Sequence, residues 1–160
     1  MKALIIYDSN SPNTKKLAYA IGAGFDHSKI VLTDIENLKF DQLNDINNLI
    51  VGAPSHGLQP ARNLISILSK IPPKGLMNTY VTAFDTRPDL RNIHSRFLRF
   101  IINPGGFAAE KIEKLLIKKG GILVLPHKGF YVNRRFGAGQ KGELLRAFNW
   151  GKEIEELSLI

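Results

Sequence analysis

Residues 2–14 read Lys2-Ala3-Leu4-Ile5-Ile6-Tyr7-Asp8-Ser9-Asn10-Ser11-Pro12-Asn13-Thr14. The run Ala3–Tyr7 is apolar without alternation, the pattern of a strand buried on both faces. The segment from Asp8 to Thr14 then turns polar, rich in hydroxyl and amide side chains, and leads into residues of helical spacing: Leu17, Ala18 and Ile21 share one face. A strand, a polar loop and a helix in that order can bring hydroxyls, loop N–H groups and the positive helix end together on one anion. Ser, Asn and Thr are equally the residues that any helix N-cap prefers, and both readings stand at this point. A Walker A loop is excluded, since the glycines and the terminal G-K-[ST] are absent.

The same alternation continues along the chain. Ile30-Val31-Leu32, Leu49-Ile50-Val51-Gly52-Ala53, Tyr80-Val81-Thr82-Ala83-Phe84 and Ile122-Leu123-Val124-Leu125 are further strand candidates, five in all. Between them Leu64, Ile67 and Leu68 form one helical face, and Ala108, Ala109, Ile112, Leu115 and Leu116 another. The latter helix ends at Lys118-Lys119-Gly120-Gly121, cations and a glycine cap, with Glu110 placed to meet Lys114. A last helix begins near 141–143 and packs Leu144, Ala147, Phe148, Gly151 and Ile154. The connection from Asp34 to Asn47 is weak in helical signal and reads as a short helix or a loop. Strands alternating with helices predict a parallel sheet with helices on both faces, in one domain spanning 1–160. Ligands in such sheets bind outside the carboxyl ends of the strands, which directs attention to the loops after Tyr7, Ala53 and Phe84.

Composition agrees with a globular domain: 160 residues, 44% hydrophobic and 22% charged. No cysteine is present, so disulfides, thiolate chemistry and iron–sulfur clusters are excluded. No run approaches the roughly 18 apolar residues of a membrane span, and the opening residues lack a signal-peptide cleavage region, so the expectation is a cytoplasmic protein. The net charge of +8 is concentrated: from Arg62 to Arg135 there are fourteen basic and four acidic side chains. Such a block attracts acidic partners, anionic surfaces or phosphates. His27, His56, His94 and His127 share no metal-ligand spacing. Gly137-Ala138-Gly139-Gln140-Lys141-Gly142 satisfies G-x-G-x-x-G, but no second strand follows to close a dinucleotide unit. Arg96-Phe97-Leu98-Arg99-Phe100-Ile101-Ile102 is either an amphipathic docking helix or a cover for a sheet edge, and Arg134-Arg135-Phe136 either binds an anion or finishes a loop.

Ser9-x-Ser11-Pro12-Asn13-Thr14 after a first strand resembles the flavodoxin phosphate loop, [ST]-x-T-G-N-T. Gly52-Ala53-Pro54-Ser55-His56-Gly57 is similar to the flavodoxin segment that flanks the isoalloxazine ring. Ala83-Phe84-Asp85-Thr86-Arg87 and the G-E-L-x-R-A-x-x-W-G run from Gly142 to Gly151 resemble a branch of flavodoxin-domain proteins. The resemblance implies a flavodoxin-like three-layer α/β sandwich with a five-stranded parallel sheet of order 2-1-3-4-5, and FMN as cofactor. It also implies the site: Ser9, Asn10, Ser11, Pro12, Asn13 and Thr14 at the phosphate; Pro54, Ser55, His56 and Gly57 on one side of the ring; Phe84, Asp85, Thr86 and Arg87 on the other. Pro12 stands where the family has glycine and removes one N–H donor. His56 stands where a tryptophan or tyrosine commonly stacks.

The implied function is electron transfer with a redox partner protein, acidic to match the basic block. Arg87 and neighbouring cations would favour the anion of the reduced flavin and so a higher reduction potential than an acidic flavodoxin shows. Two alternatives remain: an FMN-dependent quinone-type oxidoreductase at a membrane surface, and a flavin-free basic interaction module. Nucleic acid ranks last, since no RNA-binding motif or row of stacking aromatics is present.

Overall fold

The computed structural model describes residues 1–8, 10–55, 59–89, 94–96, 98, 107–132 and 142–160. The strands β1 (Lys2–Tyr7), β2 (Lys29–Asp34), β3 (Asn48–Pro54) and β4 (Tyr80–Arg87) are parallel, with Tyr7 opposite Gly52 on β3 and Gly52 opposite Phe84 on β4. The sheet order is β2-β1-β3-β4-β5, a three-layer flavodoxin-like α/β arrangement. Side chains alternate across it with the period of two that a strand dictates. Leu4 and Ile6 face a cluster containing Leu64, Leu68, Ile112 and Leu116, from α2 (Gln59–Ser69) and α3 (Ala108–Lys118). Ala3, Ile5 and Tyr7 face Leu17, Ile21, Trp150 and Ile154, from α1 (Pro12–Ala23) and α4 (Glu143–Ser158). Burial of β1 and β3 from both sides is why their sequences are apolar throughout.

The fifth position is filled by two pieces. β5 (Ile122–Leu123) pairs the start of β4, and β6 (Lys128–Tyr131) pairs its end. From Val81 to Phe84, β4 advances three residues while its neighbour advances five, from Leu123 to Lys128. The bulge contains Pro126, which has no ladder donor to offer. The expected strand Ile122–Leu125 is thus shorter, and β5 lies exposed at the edge. β2, the opposite edge, is only partly buried. The connection from Asp34 to Asn47 forms two 3₁₀ turns, Ile35–Asn37 and Phe40–Leu43, anchored by buried Ile35 and Ile46.

The helices form where their faces were expected, with one correction. In α4 Leu144 is exposed, and the large apolar contact is made by Trp150 instead. Gly151 is where α4 crosses α1: a Cβ there would stand 2.1 Å from the Ile21 carbonyl oxygen, so the two backbones touch. α3 ends as its sequence predicts, with Gly120 at φ 101° and the Gly121 and Gly120 N–H groups returning to the Leu116 and Ile117 carbonyls. Lys114 Nζ lies 2.6 Å from Glu110.

One buried acid was not expected. Glu155 accepts hydrogen bonds from the Asp26 N–H at 2.7 Å and the His27 N–H at 3.0 Å, closing the turn between α1 and β2. Burial alone would raise its carboxyl; the Ser28 hydroxyl and the N–H groups of Asp26, His27 and Ser28 outweigh that and hold it below the usual carboxylate range.

Candidate functional site

The loops after β1, β3 and β4 meet at the carboxyl end of the sheet. Asp8 is buried there; its N–H donates to Gly52 O at 3.2 Å, and its Oδ1 accepts the Asn10 N–H at 3.0 Å. Ser11 is the N-cap of α1, its Oγ accepting the Thr14 N–H at 3.4 Å, and Pro12 is the first helical residue. Proline is favourable there because its φ suits the helix and the missing N–H has no intrahelical partner. Thr14 Oγ1 reaches across to Thr86 Oγ1 at 3.3 Å, both residues fully buried. The polar loop is thereby held to the end of β4. Ser9, His56 and Gly57 lie outside the described residues, as do Gly137–Lys141, Arg134–Phe136 and most of the Arg96–Ile102 stretch, of which Arg96 and Leu98 are exposed.

Pro54 ends β3, and Ser55 begins a network that sequence reasoning missed. The Ser55 N–H donates to Thr86 O at 2.8 Å, while its Oγ accepts the Ala108 N–H at 2.8 Å. The next N–H of α3, from Ala109, donates to Asp85 Oδ2 at 2.9 Å. α3 has no side-chain cap of its own at Phe107, so Ser55, just past β3, and Asp85 of β4 supply it. Asp85 is 0% exposed and also accepts both Arg87 Nε at 2.6 Å and Nη2 at 2.9 Å. The guanidinium, with 16% side-chain exposure, sits 3.7 Å over the Phe107 ring centroid. Arg87 is therefore committed to Asp85 and Phe107, and the pair carries no net charge.

Phe84 is fully buried too. Its ring packs edge-on to Phe130 at 6.0 Å and Trp150 at 6.4 Å, over Gly52. The structure thus brings Thr14, Ser55, Asp85, Thr86 and Arg87 together as a hydrogen-bonded floor, and turns the Phe84 side chain into the core beneath it.

This floor extends to α4. Glu143 accepts the Tyr131 N–H at 2.7 Å and pairs with Arg146, whose Nη2 donates to Gly129 O at 2.6 Å. Gly129 in turn leaves room for Arg87: a Cβ there would lie 2.2 Å from Arg87 Nε. Lys128, opposite Phe84 in the register, has its ammonium pushed down by burial and further by Arg146, against the opposing effect of Glu153. The G-E-L-x-R-A run is accounted for by this clamp. Among the described residues no group of three His, Asp or Glu side chains could hold a metal ion, and no helix is long and apolar enough to cross a membrane.

No protein-family model and no curated protein sequence matches the chain. Solved structures do. Flavodoxin 1 of Bacillus cereus superposes with a TM-score of 0.75 at 16% identity, covering 98% of each chain. Flavodoxin 2 of the same organism gives 0.73 at 21% identity, covering 98% of this chain and 99% of that one. The rubredoxin oxygen:oxidoreductase of Desulfovibrio gigas gives 0.67 at 16% identity, with this chain covering 36% of that larger protein. With the sheet order and the end-to-end coverage, these likenesses establish that the chain has the flavodoxin-like fold.

Proposed function

We propose that this chain binds FMN non-covalently at the carboxyl end of its sheet and passes electrons to and from a redox partner. The observation that carries the reading is the Thr14–Thr86 contact, which fastens a hydroxyl- and amide-rich helix N-terminus to the strand end where flavodoxin-like sheets take ligands. The donor set fits a phosphate: the positive end of a 12-residue helix, the Ser11 and Thr14 hydroxyls, and a 3.4 Å Ser11–Thr14 bond long enough to exchange for an anion oxygen. Ser9, Asn10, Ser11, Asn13 and Thr14 would hold that phosphate, with Pro12 stiffening the loop at the expense of one donor. Pro54, Ser55, His56 and Gly57 would flank the ring on one side and the β4 end, Phe84 to Arg87, on the other.

Bound there, FMN supplies the redox chemistry. The burial of Phe84 and Asp85 supports a supporting role for them, the first as packing and the second as the anchor that fixes Ser55 and α3. The concentration of cations between 62 and 135 supports a partner with an acidic surface. Visible absorption of the protein purified without added flavin, followed by FMN titration read by fluorescence quenching, tests the proposal. Saturable quenching that is lost in Thr14→Val supports it. A colourless protein indifferent to FMN refutes it and leaves the flavin-free interaction module.

A further inference from the structure

At the opposite end of the sheet two connections are laced together: 69–80, joining α2 to β4, and 117–123, joining α3 to β5. Leu76 N donates to Lys119 O at 3.1 Å, Lys119 Nζ to Ser69 O at 2.7 Å, and Ile122 N to Thr79 O at 2.8 Å. Lys74 Cα and Met77 Cγ lie 3.1 and 3.4 Å from where a Cβ on Gly120 would stand. The two connections therefore present one surface. On it Met77, Ile117 and Leu123 are between 39% and 57% exposed, Leu123 on the sheet face that its partner Val81 shares with α3, and Lys70, Lys74 and Lys118 are exposed as well.

The two connections themselves carry lysines and no carboxylate. No Asp or Glu occurs from 46 to 84 or from 114 to 142, and all fourteen carboxylates of the chain lie among the described residues. None of them pairs with Lys70, Lys74 or Lys118 there. Asp45, which lines an open polar cleft with Met77 and Asn78, is the carboxylate that approaches from the β3 side.

We infer that this corner docks on an anionic membrane surface. A second copy would bring the same lysines face to face. Nucleic acid is met chiefly through phosphates and base edges, by arginine and polar side chains rather than by a cluster of aliphatic tips. Protein interfaces favour aromatic residues and arginine and are depleted in lysine, the reverse of what stands here. Aliphatic tips ringed by lysines, whose stems lie on apolar surface while their ammonium groups reach outward, match a lipid headgroup boundary. α3 starts at Ser55 and Asp85 and runs to Lys118, so a protein docked by this corner keeps the candidate site turned to water.

Co-sedimentation of the full chain with phosphatidylcholine vesicles, with and without one quarter phosphatidylglycerol, tests the inference. Binding is expected only to the anionic vesicles, weakening about five-fold for each of Lys74→Ala and Lys118→Ala. Met77→Ser with Leu123→Ser should remove the fraction that survives in high salt, and Lys152→Ala on α4 should change nothing. Urea midpoints equal to that of the unsubstituted chain verify that the variants are folded. Equal binding to both vesicles, losses as large in Lys152→Ala, or retention on polyglutamate without vesicle binding would each overturn it, the last assigning the corner to an acidic protein. The assay needs no flavin, so its failure and a failure of FMN binding are separate results.

Discussion

Replacing Asp85 by alanine removes three hydrogen bonds at one stroke, two from Arg87 and one from the first turn of α3. Water cannot stand in for a carboxylate that is 0% exposed, and the guanidinium it leaves behind keeps, among the described side chains, the Phe107 ring. Breaking a buried ion pair from one side costs about 3–5 kcal/mol, and the orphaned Ala109 N–H keeps Asp85→Ala off the lower end of that range, at about 4 kcal/mol. Arg87→Ala is expected to cost about 3 kcal/mol, because Asp85 keeps the Ala109 N–H and the positive end of α3. With both groups gone no charge is stranded, so the double variant should be more stable than the sum of the single losses implies by about 2 kcal/mol.

Urea unfolding at neutral pH measures this, with Asp85→Asn as a milder form should alanine exhaust a total stability of about 5–15 kcal/mol. A steric route gives an independent check. Gly129→Ala puts a methyl group 2.2 Å from Arg87 Nε, removes neither charge, and should reproduce most of the Arg87→Ala loss without adding to it. A cost below about 1 kcal/mol for Asp85→Ala, or a coupling energy below about 0.5 kcal/mol, would refute the claim that this pair anchors the site.

Pro12→Gly should separate stability from binding: the unfolded chain gains freedom worth about 0.4–1 kcal/mol, while the restored N–H tightens FMN by about ten-fold in a quenching titration, and unchanged affinity would count against α1 as the phosphate site. Glu155 has a folded pKa below its ordinary 4.5, so its stabilising contribution is present above that value and is lost as pH falls through the folded pKa; Glu155→Gln should flatten the acid limb of a plot of urea midpoint against pH, and an unaltered limb would contradict it. Gly52→Ala places a Cβ 2.0 Å from Phe84 Cζ in a ring held by Phe130 and Trp150, with an expected cost of about 3 kcal/mol that Phe84→Leu should partly recover; thermal unfolding of the single and double variants decides it.

The fold was legible wherever burial imposes a period. Ala3–Tyr7 and Leu49–Ala53 are apolar because both faces are covered, and the faces of α1 and α3 follow from one-sided burial. The fifth strand was not, because a bulge depends on the register to β4, which no local pattern encodes. At the site, Asp85 and Arg87 stand two apart on a strand and so share a face, a signal for an ion pair that the sequence does carry. Their third partner, Ala109, comes from a helix 24 residues away and leaves no mark. Phe84 reads as a ring-lining aromatic because it lies near a strand end; only the pairing with Gly52 across the ladder reveals that its ring fills the core.

The basic block makes the same point about charge. Read as sequence, Arg87 and its neighbouring cations belong beside the ligand. In space Arg87 is neutralised by Asp85, while Lys74 and Lys118 gather at the far end of the sheet. α3 separates Ala108 from Lys118 by ten residues, about 15 Å at ~1.5 Å per residue. That is roughly two Debye lengths at physiological ionic strength, over which an exposed charge is reduced to about one seventh of its effect. Lys74 and Lys118 are therefore badly placed to favour a reduced anion in the candidate site, and the charge of Arg87 is offset by Asp85. Asp8, a buried carboxylate of the ligand loop, acts in the opposite sense to Lys15 and Lys16, which follow the loop in α1. On the docking inferred for the far corner, Lys74 and Lys118 instead face an anionic surface outside the chain.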